Sequence, residues 1–400
     1  MSPIVPCSLK LLFILLAVCV VLLSKSRTAV ICLLVLASVF CIYRIRMRQI
    51  LKVLFPLVII MASCGLCSFW KADSTDGRKF ILATTWNLIK EKPLAGHGYG
   101  GFHREYMDLQ GHFFSLHPDS KYAILADDVR HPLNEFLFAW CEYGIGGLIL
   151  LCTLFASPMM AYLKLKDEML EVWLCALIPI FIFSLFSYPF HYPLSWMVVI
   201  GCICRTIKVI GIRKKVCKEQ YRTHAFVCIV MASICLLSFI SYEAKYEREW
   251  GRIAKIAAEK HPRKVLHRYK TLYRHYSRNP YFLYNYAFVL YSASSFDEAA
   301  LIAEECGRLW SGYNLELLTG DIYRKKRAYK EAAEHYNMAY NMCPSRFAPL
   351  AGLMYTYAEC NKKERVIQIA KTIKNKNIKV DSKTVQGIKE EAEMFLRELK

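Results

Sequence analysis

The sequence predicts an all-α protein in two parts. A polytopic helical membrane domain of about seven spans covers residues 1–241, and a soluble helical-repeat domain covers 242–400. Three observations carry this expectation. Apolar runs close to membrane-spanning length fill the first part, with basic clusters between alternate runs. A polar, His-rich stretch, 71–132, interrupts them. After Ser241 small and aromatic residues recur at a spacing of 33 residues.

Composition agrees. Hydrophobic residues make up 55% of the 400, yet mean hydropathy is only mildly positive, as expected for a membrane half diluted by a soluble half. The net charge of +20 calls for anionic lipid head groups, a positive-inside topology or phosphate-bearing substrates. Nucleic acid is disfavoured as a partner, because the basic runs flank apolar segments instead of forming one soluble face. Most of the 17 cysteines lie in apolar runs, where they act as small hydrophobes. Cys64 and Cys67 form a C-x-x-C inside an apolar helix, a poor setting for redox or metal chemistry. Cys306, Cys343 and Cys360 are too few for a disulfide scaffold.

In chain order, Leu11–Leu23 reads as a first membrane helix and Thr28–Tyr43 as a second, separated by the polar break Ser24–Arg27. Arg44–Lys52 is a dense basic loop. Leu54–Trp70 is the third span. Phe136–Leu163 is the fourth, long enough to tilt or to enter at the surface. Trp173–Phe190 and Leu194–Cys204 follow, with His191-Tyr192-Pro193 as their turn. Phe226–Ile240 is the last. Basic clusters at Arg44–Lys52, Lys164–Lys166 and Arg205–Arg222 place those loops in the cytoplasm. Arg27, the 71–132 loop, His191 and everything beyond Ile240 then fall on the opposite side, which in a bacterium is the periplasm. In the tail, Tyr286-Ala287 and Phe296-x-x-Ala299-Ala300 return as Thr319-Gly320 and Tyr329-x-x-Ala332-Ala333, with a weaker third copy near Ala351-Gly352 and Val366. This resembles tetratricopeptide repeats, in which small residues let paired helices touch. A plain helical bundle is the alternative. Ser382–Leu399 reads as a capping helix.

The topology puts Arg27, Arg78 and His131 on one side of the membrane. Guanidinium groups match phosphate oxygens with a planar fork of donors, and a histidine can take a proton near neutral pH. Two arginines and one histidine are a minimum set for breaking a sugar–pyrophosphate bond without a metal. Each residue also has a plainer reading: an interfacial arginine, a solvated loop charge and a helix cap. Gly96-x-Gly98-x-Gly100-Gly101 lacks the strand of a dinucleotide fingerprint and the Gly-Lys-Ser/Thr of a phosphate loop. It reads as a turn that brings Gly96 and Gly98 close to phosphate. Glu142 is a carboxylate at a membrane boundary, a functional residue by default. Gly144, Gly146 and Gly147 read as a site of tight helix packing. His103, His112, His117, Asp119, Asp127 and Asp128 match no metal-ligand spacing, so no metal and no cofactor are expected.

Five pieces, in order, carry a family resemblance: Ser26-Arg27 after an apolar helix; Gly77-Arg78 with Trp86; Pro93-Leu94-Ala95-Gly96-His97-Gly98 ending at Phe102; Asn134-Glu135-Phe136-Leu137; and Glu142–Leu148. The set resembles the O-antigen ligase and polymerase superfamily of bacterial membrane glycosyltransferases. The resemblance implies transfer of a glycan from an undecaprenyl-pyrophosphate carrier to an acceptor hydroxyl, on lipid A-core, another glycan or a protein, at the periplasmic face of the inner membrane. It maps the family's two arginines to Arg27 and Arg78 and its histidine to His131, with Gly96, Gly98, Asn134 and Glu142 as substrate-binding positions. Many members have histidine directly before the Asn, where this chain has Leu133. Members also carry several more N-terminal spans, whereas this sequence starts close to the Ser-Arg helix, as expected of a truncated or divergent short form. A polymerase or a protein O-oligosaccharyltransferase is the neighbouring reading. A non-catalytic membrane-anchored scaffold, with the repeats binding a protein partner, is the reading from another class.

Overall fold

The computed structural model describes residues 15–16, 18–21, 23–24, 26–44, 72–214, 219–259 and 261–399; the side chains at 27, 39–44, 72–74 and 212–229 lie outside that description. The described residues are helical, with no strand among them. They form α1 (Arg27–Arg44), α2 (Ala72–Glu91), α3 (Gly101–Leu116), α4 (Glu135–Leu165), α5 (Glu168–Phe186), α6 (Pro193–Lys214), α7 (Glu219–Ala258) and eight shorter helices in the tail. The contacts divide into two compact units. One holds residues 1–82, 93–95 and 131–217, and the other 83–92, 96–130 and 218–400.

In the first unit, three helices are long and apolar enough to cross a membrane: Glu135–Leu165, Glu168–Phe186 and Pro193–Gly211. The seven-span expectation extends past them to Leu54–Trp70, which lies outside the described residues, as do 45–52, Cys64, Cys67 and residues 11–14, 17 and 22 of the first expected span. Helices α4, α5 and α6 meet in one core of Phe155, Leu170, Leu174, Leu177, Val199 and Cys202. In α1, Ile31, Cys32 and Val35 pack with Ile178, Ile182, Phe183 and Phe186 of α5. Ser26 caps α1 by accepting from Ala29 N at 3.3 Å. The turn between α4 and α5 places Lys166 in the left-handed region (φ 53°), and Asp167 then caps α5 through Leu170 N at 2.8 Å. Arg205 of α6 grips the same carboxylate with two bonds, 2.9 and 2.6 Å, which holds it below the usual carboxylate range.

α4 is not one straight rod. Gly144 breaks it with φ 64° and ψ −161°. The break admits the chain at Pro93–Ala95: a Cβ on Gly144 would lie 2.0 Å from the Leu94 carbonyl oxygen. Pro93 O accepts from Ile145 N (3.1 Å) and from Trp140 Nε1 (2.9 Å), so the carbonyl answers the orphaned backbone of the kink. The reading of Gly144, Gly146 and Gly147 as a helix-packing site therefore needs revising. Gly144 makes room for the turn at Pro93–Ala95, and nothing approaches within 4 Å of a Cβ on Gly146.

In the second unit, α7 runs unbroken through Ser241, so the apolar, exposed stretch Val230–Ile240 and the start of the tail share one helix. Then come α8 (Pro262–Tyr276), α9 (Pro280–Ser292), α10 (Phe296–Gly307), α11 (Tyr313–Lys325), α12 (Tyr329–Met342), α13 (Ala348–Glu359), α14 (Lys363–Asn375) and α15 (Lys383–Glu398). Each packs on its successor, and α9, α11 and α13 also touch in series. The turn inside a pair repeats. Ser294, Arg327 and Asn361 all have positive φ (66°, 62° and 57°). The N–H of the residue after each then donates back, Ser295 to Leu290 O, Ala328 to Tyr323 O and Lys362 to Tyr357 O, at 2.9, 3.0 and 2.9 Å. Tyr336 of α12 is fully buried between two glycines. Cβ atoms on Gly320 and Gly352 would come within 2.8 and 2.4 Å of its ring.

The loop helix α3 belongs to this second unit and packs on α12. Gln110 donates to the carbonyls of Met342 (2.7 Å) and Asp127 (3.0 Å). Ser311 donates from Oγ to Asp108 (2.6 Å) and from its N–H to His103 O (3.0 Å). Asp127 pairs with Arg346 at 2.5 Å, and that guanidinium lies 4.5 Å from the Tyr313 ring centre.

Two outcomes follow for stability. Gly352→Ala should lower it by about 1–3 kcal/mol, since the buried Tyr336 ring has little room to move. Gly387→Ala, with open space around it in α15, should be neutral or stabilising by about 0.5–1 kcal/mol. Denaturant unfolding of both variants checks the contrast. The second outcome concerns Lys376, which donates to Pro344 O and lies 4.5 Å from the Tyr340 ring centre. Burial pushes its ammonium down to about 8. The unfolded chain, with a lysine pKa of about 10.4, binds more protons across that window, so this residue makes stability rise with pH between them. Lys376→Met should remove that slope in unfolding curves at pH 8 and pH 10.

Candidate active site

The first unit contains a cluster at the far end of α5. A membrane helix leaves its last carbonyls without partners, and in lipid they must find donors. Two come from residues singled out in the sequence. Asn134 donates from Nδ2 to Leu185 O at 3.1 Å, and Arg78 donates from Nη1 to Phe186 O at 3.2 Å. Asn134 also accepts from Leu137 N at 3.0 Å and so caps α4. To reach this position the chain turns through Leu133, whose φ of 56° is unusual for a bulky side chain and marks local strain.

His131 completes the cluster from the other flank. Beyond α5 the chain makes a 3-10 turn, Pro189–His191, before α6 begins at Pro193. Nε2 of His191 lies 2.7 Å from Nε2 of His131. The Tyr188 ring stacks on His131, with centroids 5.0 Å apart and planes 28° apart, while Phe138 meets it edge-on at 5.7 Å. The turn is held in place. Glu135, buried, accepts from Phe190 N at 3.1 Å, and Phe190 O accepts from Trp196 Nε1 at 2.7 Å. Arg78, His131 and Asn134 thus all bond within one short segment, 185–191.

The other named positions lie elsewhere. Arg27 starts α1, and its side chain is outside the described residues. Glu142 is buried within α4, two residues before the Gly144 kink. Gly96 and Gly98 belong to the second unit, in the turn that leads to α3. Their φ values, 72° and 81°, require glycine for backbone conformation; at Gly98 space is not the reason, because a Cβ there would meet nothing within 4 Å. In the same turn His97 is buried and bonded from Nε2 to Leu88 O at 2.8 Å. Two of the acidic residues considered for a metal are otherwise engaged: Asp127 with Arg346, and Asp128 with Arg130 at 3.7 Å.

Sequence reading missed Glu135, Tyr188 and His191. Glu135 stands inside the Asn-Glu motif, and His191 reads as part of a turn on the same side as His131. A histidine in a short turn between two spans was the signal available.

Residues 12–152 match the family model described as O-antigen ligase. The match spans roughly a third of the chain and includes Arg27, Arg78, His131 and Asn134. It points to a general class, membrane glycosyltransferases of ligase or polymerase type. No curated protein and no solved structure matches the chain.

Asn134→Ala should lower stability by about 1–2 kcal/mol, losing both the cap and the Leu185 bond. Asn134→Ser should regain the cap but not the reach to Leu185 O. Thermal unfolding of the detergent-solubilised protein should therefore rank Asn, Ser, Ala in falling order. Equal values for Ser and Ala would mean that the cap contributes nothing.

Proposed function

We propose that the chain transfers a glycan from an undecaprenyl-pyrophosphate carrier to an acceptor hydroxyl, without a metal, at the periplasmic face of the bacterial inner membrane. The observation that carries this reading is the meeting of Arg78, Asn134 and His131 at 185–191, at the end of an apolar helix bundle, within a chain whose residues 12–152 match O-antigen ligases. The basic residues Lys164, Lys166 and Arg205 lie toward the opposite ends of the same helices, which supports an external site.

In this reading His131 takes the proton of the acceptor hydroxyl as its oxygen bonds to the anomeric carbon. The bond from that carbon to the pyrophosphate oxygen breaks, and the electron pair leaves with the pyrophosphate. Arg78 and Arg27 meet the growing negative charge. A guanidinium serves because one edge can hold Phe186 O while other N–H groups turn to phosphate oxygens. Gly96 and Gly98 provide close backbone approach, and Glu142 a buried carboxylate along the donor's path. We assign residues 1–241 to the transferase and 242–400 to a periplasmic tetratricopeptide-like domain that binds a protein partner. The repeating turns at Ser294, Arg327 and Asn361 support that fold. The acceptor is lipid A-core, a second glycan or a protein.

The test is transfer by the purified protein from a lipid-pyrophosphate-linked oligosaccharide. Arg78→Lys keeps the charge but not the fork and should reduce transfer at least about tenfold. His131→Ala should reduce the rate by about 10²–10⁴ while carrier binding persists. A chelator should leave the rate unchanged. Full activity of His131→Ala would remove the histidine from the mechanism.

A further inference from the structure

Within the second unit, α7 leaves an exposed apolar stretch and enters a strongly basic hairpin with α8. We infer that the part of this hairpin nearest the apolar stretch is a collar for anionic phospholipid head groups, with Lys245, Arg248, Arg274 and Arg278 binding their phosphates. The inference stands apart from the transfer reading.

The argument begins with what α7 exposes. All eleven residues from Val230 to Ile240 are exposed, and apart from Ser233 and Ser238 they are apolar on every face of the helix. A protein partner would cover one face and leave the others in water, whereas a bilayer covers them all. Tyr242 follows as an exposed aromatic of the kind that sits at a membrane interface. At 1.5 Å per residue, Lys245 and Arg248 lie about 8 and 12 Å beyond Ile240 along the same helix. That is the depth of the head groups or just outside it, within reach of long side chains.

α8 returns antiparallel to α7. His275 meets Glu243 at 3.0 Å and stacks on Tyr246 with centroids 4.0 Å apart, while Arg268 pairs with Glu249 farther along. This register sets Arg274, and Arg278 just past the end of α8, beside the turns of α7 that carry Tyr242 and Lys245. It sets Arg263 level with Lys255, about 22 Å from Ile240. Lys245, Arg248, Arg252 and Lys255 recur at steps of three and four and share one face of α7, while Tyr246, Trp250 and Ile253 turn to the core. In α8, Arg263, Lys270 and Arg274 are exposed, away from the buried Val265, Tyr269, Leu272 and Tyr276. Residues 241–278 hold eleven Lys and Arg against four Glu, and Glu243 and Glu249 are engaged inside the hairpin. Among the described residues, none of Lys245, Arg248, Arg274 and Arg278 forms an ion pair; Arg248 uses Nε on Ala244 O of its own helix, at 3.0 Å. All four are exposed where the apolar stretch ends. An anionic surface binds such cations with a gain of about fivefold for each.

The experiment places the full-length protein in nanodiscs of phosphatidylcholine, with or without phosphatidylglycerol, and follows hydrogen–deuterium exchange by peptide. Exchange in 242–250 and 270–279 should slow at least about fivefold when phosphatidylglycerol is present, and high salt should abolish the difference. The variant Lys245→Gln/Arg248→Gln/Arg274→Gln/Arg278→Gln should lose it. The variant Lys255→Gln/Arg263→Gln should keep it, because those positions lie more than a Debye length from the head groups. Parent-like exchange of α10, α11 and α12 in phosphatidylcholine discs establishes that the variants fold. If the fourfold variant does not, Arg274→Gln/Arg278→Gln takes its place and should lose most of the effect. Equal exchange in the two kinds of disc, or equal loss in the near and far variants, would overturn the inference. So would the same protection by soluble glycerophosphate in phosphatidylcholine discs, which would mark a site for free phosphate instead of a lipid surface.

Discussion

The end of an apolar helix is the constraint on which this site depends. The last turn of α5 leaves Leu185 O and Phe186 O without partners inside the helix, so their donors must come from elsewhere. Asn134 and Arg78 answer them from two different segments. Each bond therefore has two effects. It closes the helix, and it brings a polar side chain from another part of the chain to the same few residues. The turn that follows carries His191 to His131. Satisfying the helix end thus gathers Arg78, Asn134 and His131 in one place, which explains why polar residues are tolerated beside an apolar bundle.

Rigidity around the site comes from the same contacts. Leu133 is held in a strained left-handed conformation, and the strain is maintained because Asn134 is bonded at both its side-chain amide and its side-chain carbonyl. The kink at Gly144 opens α4 to Pro93, whose carbonyl replaces the partners the kink removed. In the second unit the logic is repetition. Gly320 and Gly352 close on Tyr336, whose hydroxyl reaches Asp321 at 2.5 Å, and the same turn recurs at Ser294, Arg327 and Asn361. Loop helix α3 packs there because Gly111 lets Met338 and Met342 approach and Gln110 finds two carbonyls.

What the sequence revealed, and what it hid, follows from the range of each interaction. Helical class, the apolar spans 135–165, 168–186 and 193–211, and the small-residue positions of the tail are written in local composition and period. Arg78, Asn134 and His131 stand out because short motifs surround them. His191 lies 60 residues from His131, and no periodicity joins them. Glu135 reads only as a member of the Asn134–Leu137 motif, although its oxygen serves the Phe190 amide. Gly144 reads as a packing glycine, since sequence cannot tell a neighbouring helix from an approaching loop. That α3 would lie on α12 was equally hidden, because Gln110 and Gly111 carry no signal until their partner is in place.

These contacts also explain why arginine suits position 78. A lysine could also donate to Phe186 O, but its ammonium is a point charge on a flexible stem and has no planar fork to orient. A guanidinium is planar and has donors on more than one edge, so one N–H can remain on the helix end while the group serves other partners. The bond to Phe186 O limits how the plane of the group can turn. The histidines meet on the same footing. The segment that carries His191 to His131, 185–191, is the one that Arg78 and Asn134 keep in register with the helix end.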